Sequence, residues 1–480
     1  MKKLLFFILV AGYFIARSQT VSVPRNYNDS IKIKSLKKYM AVLTSDSLAG
    51  RETGEPGGEK AADYIYECFK KDGLEPGFNG QYKQSFRIWK TAWNNLTIFT
   101  GNDTLKSNID YTYLGVIAQN DELEKKVFYL GHIDNNSYIP AEIKDQIAFV
   151  CLENLKSTFA VTAKLKKAGA WAIFAINPDD DDQFESINKK FQTFRKYTSV
   201  YQKKPKVNST GNRLFVFPNS STNEFFGINK DQLPDKIDST TSLLWRPIRI
   251  KMPCDTTYKD VYNIAGQITG EKKDAPFLTL TAHYDHIGVQ PDGEICRGAD
   301  DNGSGTTALL ELASIFKNIK QKPEYTIKFV AFTAEELGLW GSEKYTNEYQ
   351  PKQFLANINM DMVGRHDTIT KDNYVYLLGV KNSPWLDSLS REANKQSSVL
   401  KLDYYYDGSG FMNRSDHYNF YKNDVPVLSF FNGLHHDYHT PRDTMEKIDF
   451  PLLRKRVFLI FASAYLIAYD PESELKAKIK

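Results

Sequence analysis

From about residue 255 onward, short apolar runs alternate with stretches of helical patterning. Two of these runs are 277–282 and 326–333, each bounded by polar residues. Short, continuously apolar runs are typical of strands buried on both faces of a parallel sheet. The alternation predicts an α/β fold over about 255–475, with a mixed, mostly parallel sheet flanked by helices. A mostly apolar segment at about 451–469 is predicted to be a packing helix.

Two earlier regions have other patterns. Over about 30–118 the chain opens with helical spacing, in which Ala62, Ile65 and Phe69 share one face and Gly73 marks the end of the helix. Over about 119–240 the pattern predicts a smaller, β-rich α/β domain inserted between the two parts of the larger one. Its predicted elements are strands at 126–130, 146–151 and 169–176 and a helix at 159–168.

Composition places the chain among globular proteins. Its 480 residues are 41% hydrophobic and 25% charged, and the length predicts two to three domains. A formal charge of +4 is small for this size and gives no support for nucleic-acid binding. The four cysteines, Cys68, Cys151, Cys254 and Cys296, are too widely spaced for a disulfide framework. We expect isolated buried thiols, with a Cys254–Cys296 pair as the alternative.

The first residues have the pattern of a secretory signal. Lys2 and Lys3 precede an apolar run, and small residues at 16 and 18 suit cleavage after position 18. The run is shorter than the ~20 residues that a membrane span needs, although an uncleaved anchor is the alternative. We therefore expect residues 1–18 to be a signal peptide. The mature protein would be periplasmic or secreted, without a membrane span.

Five motifs in the second half each place a histidine or a carboxylate near a predicted strand end. Open α/β sheets present ligand sites at the carboxyl ends of their strands. This mixture of nitrogen and oxygen ligands suits zinc, and a spare glutamate suits a base acting on metal-activated water. The pattern predicts a metal-dependent hydrolase. The motifs are Ala-His283-Tyr-Asp285, Gly-Ala-Asp300-Asp301-Asn302-Gly-Ser-Gly, Ala-Glu335-Glu336, Asn-Met-Asp361-Met and Tyr-His439-Thr-Pro.

Each motif alone has a simpler interpretation. Asp300-Asp301 would serve as a helix cap, and Glu335-Glu336 would open a helix. The similar pair His132-Ile-Asp134 lacks a following Asp-Asp-Asn turn, so we assign it to the surface or a loop. His435 and His436 are expected to be loop or substrate-side residues. The metal site is favoured because all five motifs occur together, in this order, at predicted strand ends.

These motifs resemble those of the M28 family of dinuclear zinc peptidases. The resemblance covers about 255–470 and extends to Leu-Ala-Gly-Arg-Glu-Thr-Gly at 48–54. It implies the zinc-dependent exopeptidase fold. The inserted region resembles a protease-associated domain, because Gly-Ala-Trp-Ala-Ile-Phe at 169–174 follows a lysine-rich helix.

The resemblance also implies roles for individual residues and two bound Zn²⁺ ions. Other divalent metals are compatible with the same ligands. The family pattern further implies a cis peptide at Asp301-Asn302. The implied roles are His283 and Asp361 for one zinc, Asp301 for both, Glu336 and His439 for the other, Glu335 as general base, and Asp285 orienting His283.

The implied activity is removal of N-terminal residues from peptides by metal-activated water. Arg365, Ser415 and Asp416 are candidate substrate-binding residues, although Arg365 would equally form a salt bridge. Three alternatives stay open: a carboxypeptidase or dipeptidase of the same family, a single-zinc glutaminyl cyclase, and an inactive receptor-like protein. The sequence does not specify the preferred N-terminal residue or the oligomeric state.

Overall fold

The fold is described from a computed structural model. The residues that it describes are 21–93, 96–101, 103–107, 109–115, 121–134, 136–152, 158–176, 184, 188, 200–204, 213–218, 220–227, 230–252, 254–368, 373–396, 403–406 and 410–477. The predicted signal peptide at 1–18 lies outside these residues.

Helices and strands are numbered in chain order over the described residues. The helices are α1 (Ile33–Leu43), α2 (Pro56–Lys71), α3 (Thr158–Lys167), α4 (Ser221–Phe226), α5 (Gly305–Lys317), α6 (Trp340–Thr346), α7 (Pro384–Gln396), α8 (His417–Tyr421), α9 (Phe450–Tyr469) and α10 (Ser473–Ala477). The strands are β1 (Glu75–Pro76), β2 (Lys83–Trp93), β3 (Thr97–Thr100), β4 (Asp103–Lys106), β5 (Thr112–Gly115), β6 (Asp121–His132), β7 (Ile147–Cys151), β8 (Ala172–Ile176), β9 (Val200–Tyr201), β10 (Arg213–Phe217), β11 (Trp245–Met252), β12 (Cys254–Ile268), β13 (Phe277–His283), β14 (Ile327–Phe332), β15 (Phe354–Met360), β16 (Tyr374–Leu378), β17 (Asp403–Tyr406) and β18 (Val427–Phe431).

The chain forms two compact units. The first comprises the residues up to Phe86 and those from Val261 onward, and the second comprises Arg87–Asp260. The sheet of the first unit has the order β17-β16-β18-β15-β13-β14-β12-β2. Strands β14, β13, β15 and β18 are mutually parallel. Strand β12 runs antiparallel to β14, and β16 runs antiparallel to β18 and parallel to β17. This confirms the predicted mixed sheet flanked by helices.

The central strands are rich in apolar and small uncharged residues, and both of their faces are buried. Every residue of β13, β14, β15 and β18 is buried. Such strands are stable only when helices cover both faces of the sheet. The predicted strands at 277–282 and 326–333 are therefore confirmed, to within one residue at each end. The helix predicted from Ala62, Ile65 and Phe69 is α2, and all three side chains are buried.

The predicted packing helix is α9. Asp449 caps its amino end by accepting a hydrogen bond from the Leu452 amide, and the helix is buried along most of its length. The guanidinium of Arg456 is fully buried and donates to the carbonyls of Tyr374, Val363 and Arg365. These acceptors bind Nε and Nη1, two of the three guanidinium nitrogens, and so offset part of the cost of burying the cation. Among the described residues, no helix is long and apolar enough to cross a membrane.

The second unit contains its own mixed sheet, in the order β4-β3-β11-β6-β7-β8-β10-β5. Strands β6, β7, β8 and β10 are parallel to one another, and the other pairings are antiparallel. The predicted strands at 126–130, 146–151 and 169–176 correspond to β6, β7 and β8. The predicted helix at 159–168 corresponds to α3.

This unit is wider than the inserted region expected from sequence. The expected insert covered 119–240, whereas the compact unit covers Arg87–Asp260. Strands β3 and β5, which lie within the 30–118 region assigned from sequence to the larger domain, belong here because β3 pairs with β11 and β5 pairs with β10. Hydrogen bonds between strands so distant in sequence have no local signature. The protease-associated identity of the unit stays a prediction.

A buried glutamate on α5 gives a testable effect on stability. Glu311 is 4% exposed and accepts a hydrogen bond from the Lys32 amide. Burial raises the pKa of its carboxyl to about 7, so folding disfavours its ionised form. Its stabilising contribution is fully present below the ordinary value of 4.5 and is lost as the pH rises through about 7.

Glu311→Gln should therefore raise the free energy of unfolding at pH 8 by on the order of 1–2 kcal/mol after allowance for solvent screening. The difference should become small at pH 4.5, where the wild-type carboxyl is protonated in the folded protein and about half protonated in the unfolded chain. Urea unfolding of metal-free protein at the two pH values would measure it. Exposed Glu271→Gln is the control, and an equal effect of Glu311→Gln at both pH values would contradict the assignment.

Candidate metal centre

The predicted site residues lie at the carboxyl ends of the central parallel strands. His283 ends β13 and is paired in register with Phe332, the last residue of β14. Glu335 and Glu336 therefore leave the sheet beside His283. Asp361 directly follows β15, and its amide donates to the carbonyl of Phe430 in β18. Adjacent strand ends thus bring residues from separate motifs together, as expected for an open α/β sheet.

The loop that carries Asp301 is held by an aspartate that the sequence interpretation did not include. The carboxylate of Asp443 accepts hydrogen bonds from the amides of Asp300 and Asp301, at 3.0 Å each from Oδ2. The Asp443 carbonyl also accepts from the Ala299 amide. The Asp301–Asn302 peptide is cis, as the resemblance implied. These contacts fix the orientation of the Asp301 backbone.

A second unpredicted residue, Arg51, connects the loops around the site. Its guanidinium is fully buried and donates to four backbone carbonyls. The acceptors are Tyr284 at 2.8 Å, Leu43 at 2.6 Å, Arg297 at 2.6 Å and Gly298 at 2.8 Å. The loop after β13 and the loop before α5 are thereby held by one side chain. Arg51 lies in the 48–54 motif, whose role the sequence pattern did not specify.

The candidate ligands form two groups that share Asp301. In the first, His283 Nε2 lies 3.6 Å from Asp301 Oδ1 and 3.4 Å from Asp361 Oδ1. In the second, His439 Nε2 lies 3.0 Å from Asp301 Oδ2 and 3.1 Å from Glu336 Oε2. The two oxygens of Asp301 therefore face different groups. The second group has a further member, His286, which the sequence interpretation did not include.

The chemistry of these groups fits metal binding better than direct hydrogen bonding. Asp301 Oδ2, Asp361 Oδ1 and His439 Nε2 are buried, and none has a hydrogen-bond partner of acceptable geometry among the described residues. Ligands around a tetrahedral zinc are separated by roughly 3.3 Å, close to the observed spacings. Four carboxylate side chains that are at most 14% exposed, from Asp301, Glu335, Glu336 and Asp361, also require compensating positive charge. The residues present fit two divalent ions.

The two adjacent glutamates have opposite electrostatic environments. Burial raises the pKa of Glu335 well above its ordinary value, and the charges of Glu336 and Asp361 add to this effect against the opposing influence of His283. Burial acts in the same direction on Glu336. There, however, His439 and His286 outweigh it and hold the pKa of Glu336 well below the ordinary value. A raised pKa suits a residue that accepts and releases protons, and a lowered pKa suits an anionic ligand.

Asp285 makes different contacts from those expected. Its carboxylate Oδ1 lies 3.7 Å from His283 Nδ1, beyond hydrogen-bond distance, and the ring nitrogen lies 3.1 Å from the Asp285 carbonyl instead. The carboxylate accepts hydrogen bonds from Thr53 Oγ1 and from the amides of Glu335 and Glu336. The backbone of Asp285 therefore orients His283. Its side chain orients the glutamate loop.

Comparison with known proteins supports the expected relationship. A sequence model described as peptidase family M28 matches residues 263–464. The matched region contains every residue of the two candidate ligand groups. Aminopeptidase YwaD of Bacillus subtilis is 34% identical over 203 residues, which cover 40% of this chain and 41% of that protein. A probable leucine aminopeptidase of Trichophyton verrucosum is 29% identical over 210 residues, which cover 41% of this chain and 56% of that protein.

The alignments thus span about half the length of these two relatives. Among solved structures, the zinc aminopeptidase BSAP from Bacillus subtilis matches with a TM-score of 0.58 at 21% identity. That match covers 91% of this chain and 95% of the other. At this identity the comparison establishes the shared fold alone.

A cavity opens beside the candidate ligands. Glu335, Asp301 and Asp361 line it, and its other polar lining residues are Arg414, Ser415, His417 and Ser429. The rest of the lining is apolar, so the cavity combines reactive groups with a surface suited to a nonpolar side chain. The apolar lining comprises Met362, Leu378, Phe411, Phe431, Leu434 and Tyr438. A wider groove lies near the amino ends of the parallel strands and contains none of the candidate ligands.

The three candidate substrate-binding residues occupy different positions. Arg365 is half-buried and forms an ion pair with Asp437, with Nη2 3.0 Å from Oδ2, which corresponds to the salt-bridge alternative. Ser415 lines the cavity, and its hydroxyl accepts a hydrogen bond from Asn359 Nδ2. Asp416 is fully buried, and burial raises its pKa to about 7. His417, which the sequence interpretation left unassigned, lines the cavity together with Arg414.

Other histidines and cysteines lie outside the ligand groups. His435 is buried and its Nε2 lies 3.2 Å from Asp300 Oδ2, so it supports the loop rather than contacting the cavity. His132 pairs with Asp235. Cys296 is buried and its sulfur accepts a hydrogen bond from Gln290. Within the described part of the chain, neither candidate ligand group contains a cysteine.

Proposed function

We propose that this chain is a dinuclear zinc aminopeptidase. The observation that carries the proposal is the position of Asp301, whose Oδ1 faces His283 and whose Oδ2 faces His439. A carboxylate with oxygens directed to two separate ligand groups suits two cations bridged by one residue. The match to the family M28 model and the aminopeptidase names of the relatives support the same reaction class.

In this proposal, His283 and Asp361 would hold one ion, Glu336 and His439 would hold the other, and Asp301 would contribute to both sites. When bound, the zinc pair supplies Lewis acidity, which polarises the scissile carbonyl and lowers the pKa of water. Similar ligand sets accept several divalent metals, so other divalent ions are alternatives to zinc at this site.

The remaining chemistry belongs to protein side chains. Glu335 lines the cavity without belonging to either candidate ligand group, and its raised pKa suits proton transfer. It would accept a proton from the attacking water and deliver it to the nitrogen of the leaving amine. The Asp285 carboxylate holds the amides of Glu335 and Glu336, so each carboxylate keeps its separate direction.

The apolar side of the cavity suggests a substrate with a nonpolar N-terminal side chain. Met362, Leu378 and Phe431 form one buried apolar cluster, with Phe411 and Leu434 packed against it. We expect leucyl and phenylalanyl anilides to exceed glycyl and aspartyl anilides in kcat/KM. The expected margin is roughly 10-fold or more, because an added methylene in an apolar pocket contributes ~1–3 kcal/mol.

Hydrolysis of a substrate panel by the zinc-loaded full chain tests the activity, with a chelator-treated sample as control. The panel contains free-amine aminoacyl anilides, their N-acetylated forms, peptides with free C-termini and peptides with N-terminal glutamine. Chelator-sensitive hydrolysis of free-amine substrates alone would support the proposal. Release of C-terminal residues alone would move the assignment to a carboxypeptidase, for which Arg414 in the cavity wall is a candidate anchor. Loss of ammonia from N-terminal glutamine would indicate a cyclase.

We also propose that the protein is exported from the cytoplasm. The charged and apolar pattern of residues 1–18 is typical of a secretory signal. Detection of the mature chain in periplasmic or secreted fractions, beginning near residue 19, would support it. Detection of the uncleaved chain in membranes would favour the anchor alternative.

A further inference from the structure

The His286 side chain lies in a loop beside Gly298, which has no side chain of its own. It lies three residues after His283, in the loop that follows β13, and its residue exposure is 1%. The face of the imidazole lies against Gly298. A Cβ at Gly298 would come within 2.5 Å of His286 Cγ and Cδ2. A Cβ at this position would also lie 2.1 Å from the Asp301 carbonyl oxygen, and residue 298 has a φ of +54°. Glycine at 298 is therefore required by the backbone and also leaves room for the ring.

The ring is directed at one oxygen of Glu336. His286 Nδ1 lies 2.9 Å from Glu336 Oε1, a normal length for a hydrogen bond to a carboxylate. The other oxygen, Oε2, lies 3.1 Å from His439 Nε2, within the second ligand group. Two imidazoles thus face different oxygens of the same carboxylate. His286 Nδ1 is farther from Asp301 Oδ2, at 3.5 Å.

We propose that His286 is a positioning residue that holds Glu336 in the orientation needed for metal binding. Its Nδ1–H donates to Glu336 Oε1, which directs Oε2 toward the ion shared with Asp301 and His439. Hydrogen bonds to the non-ligating atoms of metal ligands fix ligand orientation in this way. The inference rests on the proposed function, because it assumes that Glu336 is a ligand.

The tautomer follows from the surroundings of the ring. His286 Nε2 is buried and has no hydrogen-bond partner among the residues that the structure describes. A proton on Nδ1 leaves Nε2 as an unpaired acceptor rather than an unpaired donor, and buried unpaired N–H groups are the rarer case in proteins. The tautomer with its proton on Nδ1 therefore fits these surroundings better than the tautomer with its proton on Nε2.

Direct coordination by His286 is the competing arrangement. It would give the second ion four protein ligands, from His286, Asp301, Glu336 and His439. A zinc with four protein ligands is typical of closed structural sites, whereas a hydrolytic site keeps one position open. Because Oε2 of Glu336, Oδ2 of Asp301 and Nε2 of His439 already form a compact set, the geometry favours the positioning role.

Metal affinity of the full chain provides the test. Zinc content and dissociation constants, obtained by competition with a chromogenic chelator, would be measured for wild type, His286→Ala and His286→Asn. Asparagine retains an N–H donor at a similar distance from the backbone as Nδ1. His436→Asn is the matched control, since His436 is an exposed histidine near the second ligand group in sequence. Circular dichroism of each metal-free variant would establish that it folds.

His286→Ala should still bind two ions at saturating zinc, with the affinity for one of them weakened about 10–100-fold. His286→Asn should recover much of that loss, and His436→Asn should match wild type. The visible spectrum of the Co²⁺-loaded His286→Asn variant should keep its band positions, because no ligand atom changes.

Two results would overturn the inference. Unchanged zinc affinities in both His286 variants would show that His286 packs in the loop without positioning Glu336. Loss of one ion from His286→Asn even at saturating zinc, with a shifted cobalt spectrum, would identify a direct ligand. A wild-type chain that binds no divalent ion would overturn the proposed function as well. Zinc binding by the wild type is therefore measured first, before the variants are compared.

Discussion

Replacing Glu335 with glutamine should lower kcat by about 10²–10⁴-fold while both metal ions are retained. The Glu335 carboxyl lies on the cavity wall, and burial raises its pKa well above the ordinary value. Glutamine keeps the shape of the side chain but neither accepts nor delivers a proton. The loss should therefore appear in kcat, with little change in zinc stoichiometry.

Steady-state kinetics and metal analysis of the same preparation would measure this. Exposed Glu294→Gln is the matched control and should leave both quantities unchanged. Glu335→Ala should behave as Glu335→Gln does, because neither residue is a base. Retained activity in a zinc-loaded Glu335 variant would remove this residue from the proton-transfer role, and loss of zinc would instead make it a ligand.

Replacing Asp301 with alanine should remove metal binding at both positions and reduce activity to that of metal-free protein. Its oxygens face two ligand groups, so a single substitution takes one ligand from each ion. Loss of a hydrogen-bond partner of a ligand weakens metal affinity by about 10–100-fold. Loss of Asp301 itself should weaken the affinity for each ion by more than that. No other candidate ligand belongs to both groups within the described residues.

Zinc stoichiometry after dialysis distinguishes Asp301 from the other ligands. Asp361→Ala should lose one ion, whereas Asp301→Ala should lose both. Asp292→Asn, at an exposed position of the preceding loop, should retain two. An Asp301→Ala variant that keeps one ion at wild-type affinity would show that this residue serves a single metal.

Several site residues could be predicted because local sequence determines where buried strands end. The apolar runs that became β13 and β14 predicted strands, and the polar residues after them marked the ends at which ligands gather. The spacing of motifs, together with the family resemblance, suggested Asp301, Glu336, Asp361 and His439. The structure brings all of these together with His283.

His286, Asp443 and Arg51 were missed for a common reason. Each contributes through contacts with loops that are distant in sequence: His286 with Glu336, Asp443 with the amides of Asp300 and Asp301, and Arg51 with carbonyls on three segments. A second histidine three residues after His283 was the available signal for His286. Its spacing alone does not distinguish a ligand, a positioning residue and a core histidine.

By itself, the sequence determined the type of fold, the central strands, the packing helix and the main set of candidate ligands. These follow from side-chain chemistry and short-range periodicity, which act over a few residues. Only the tertiary structure decided the extent of the second unit, the different roles of the Asp285 backbone and carboxylate, and the contact between His286 and Glu336. These depend on which distant strands and loops meet, since hydrogen bonds across a fold are set by topology rather than by local pattern.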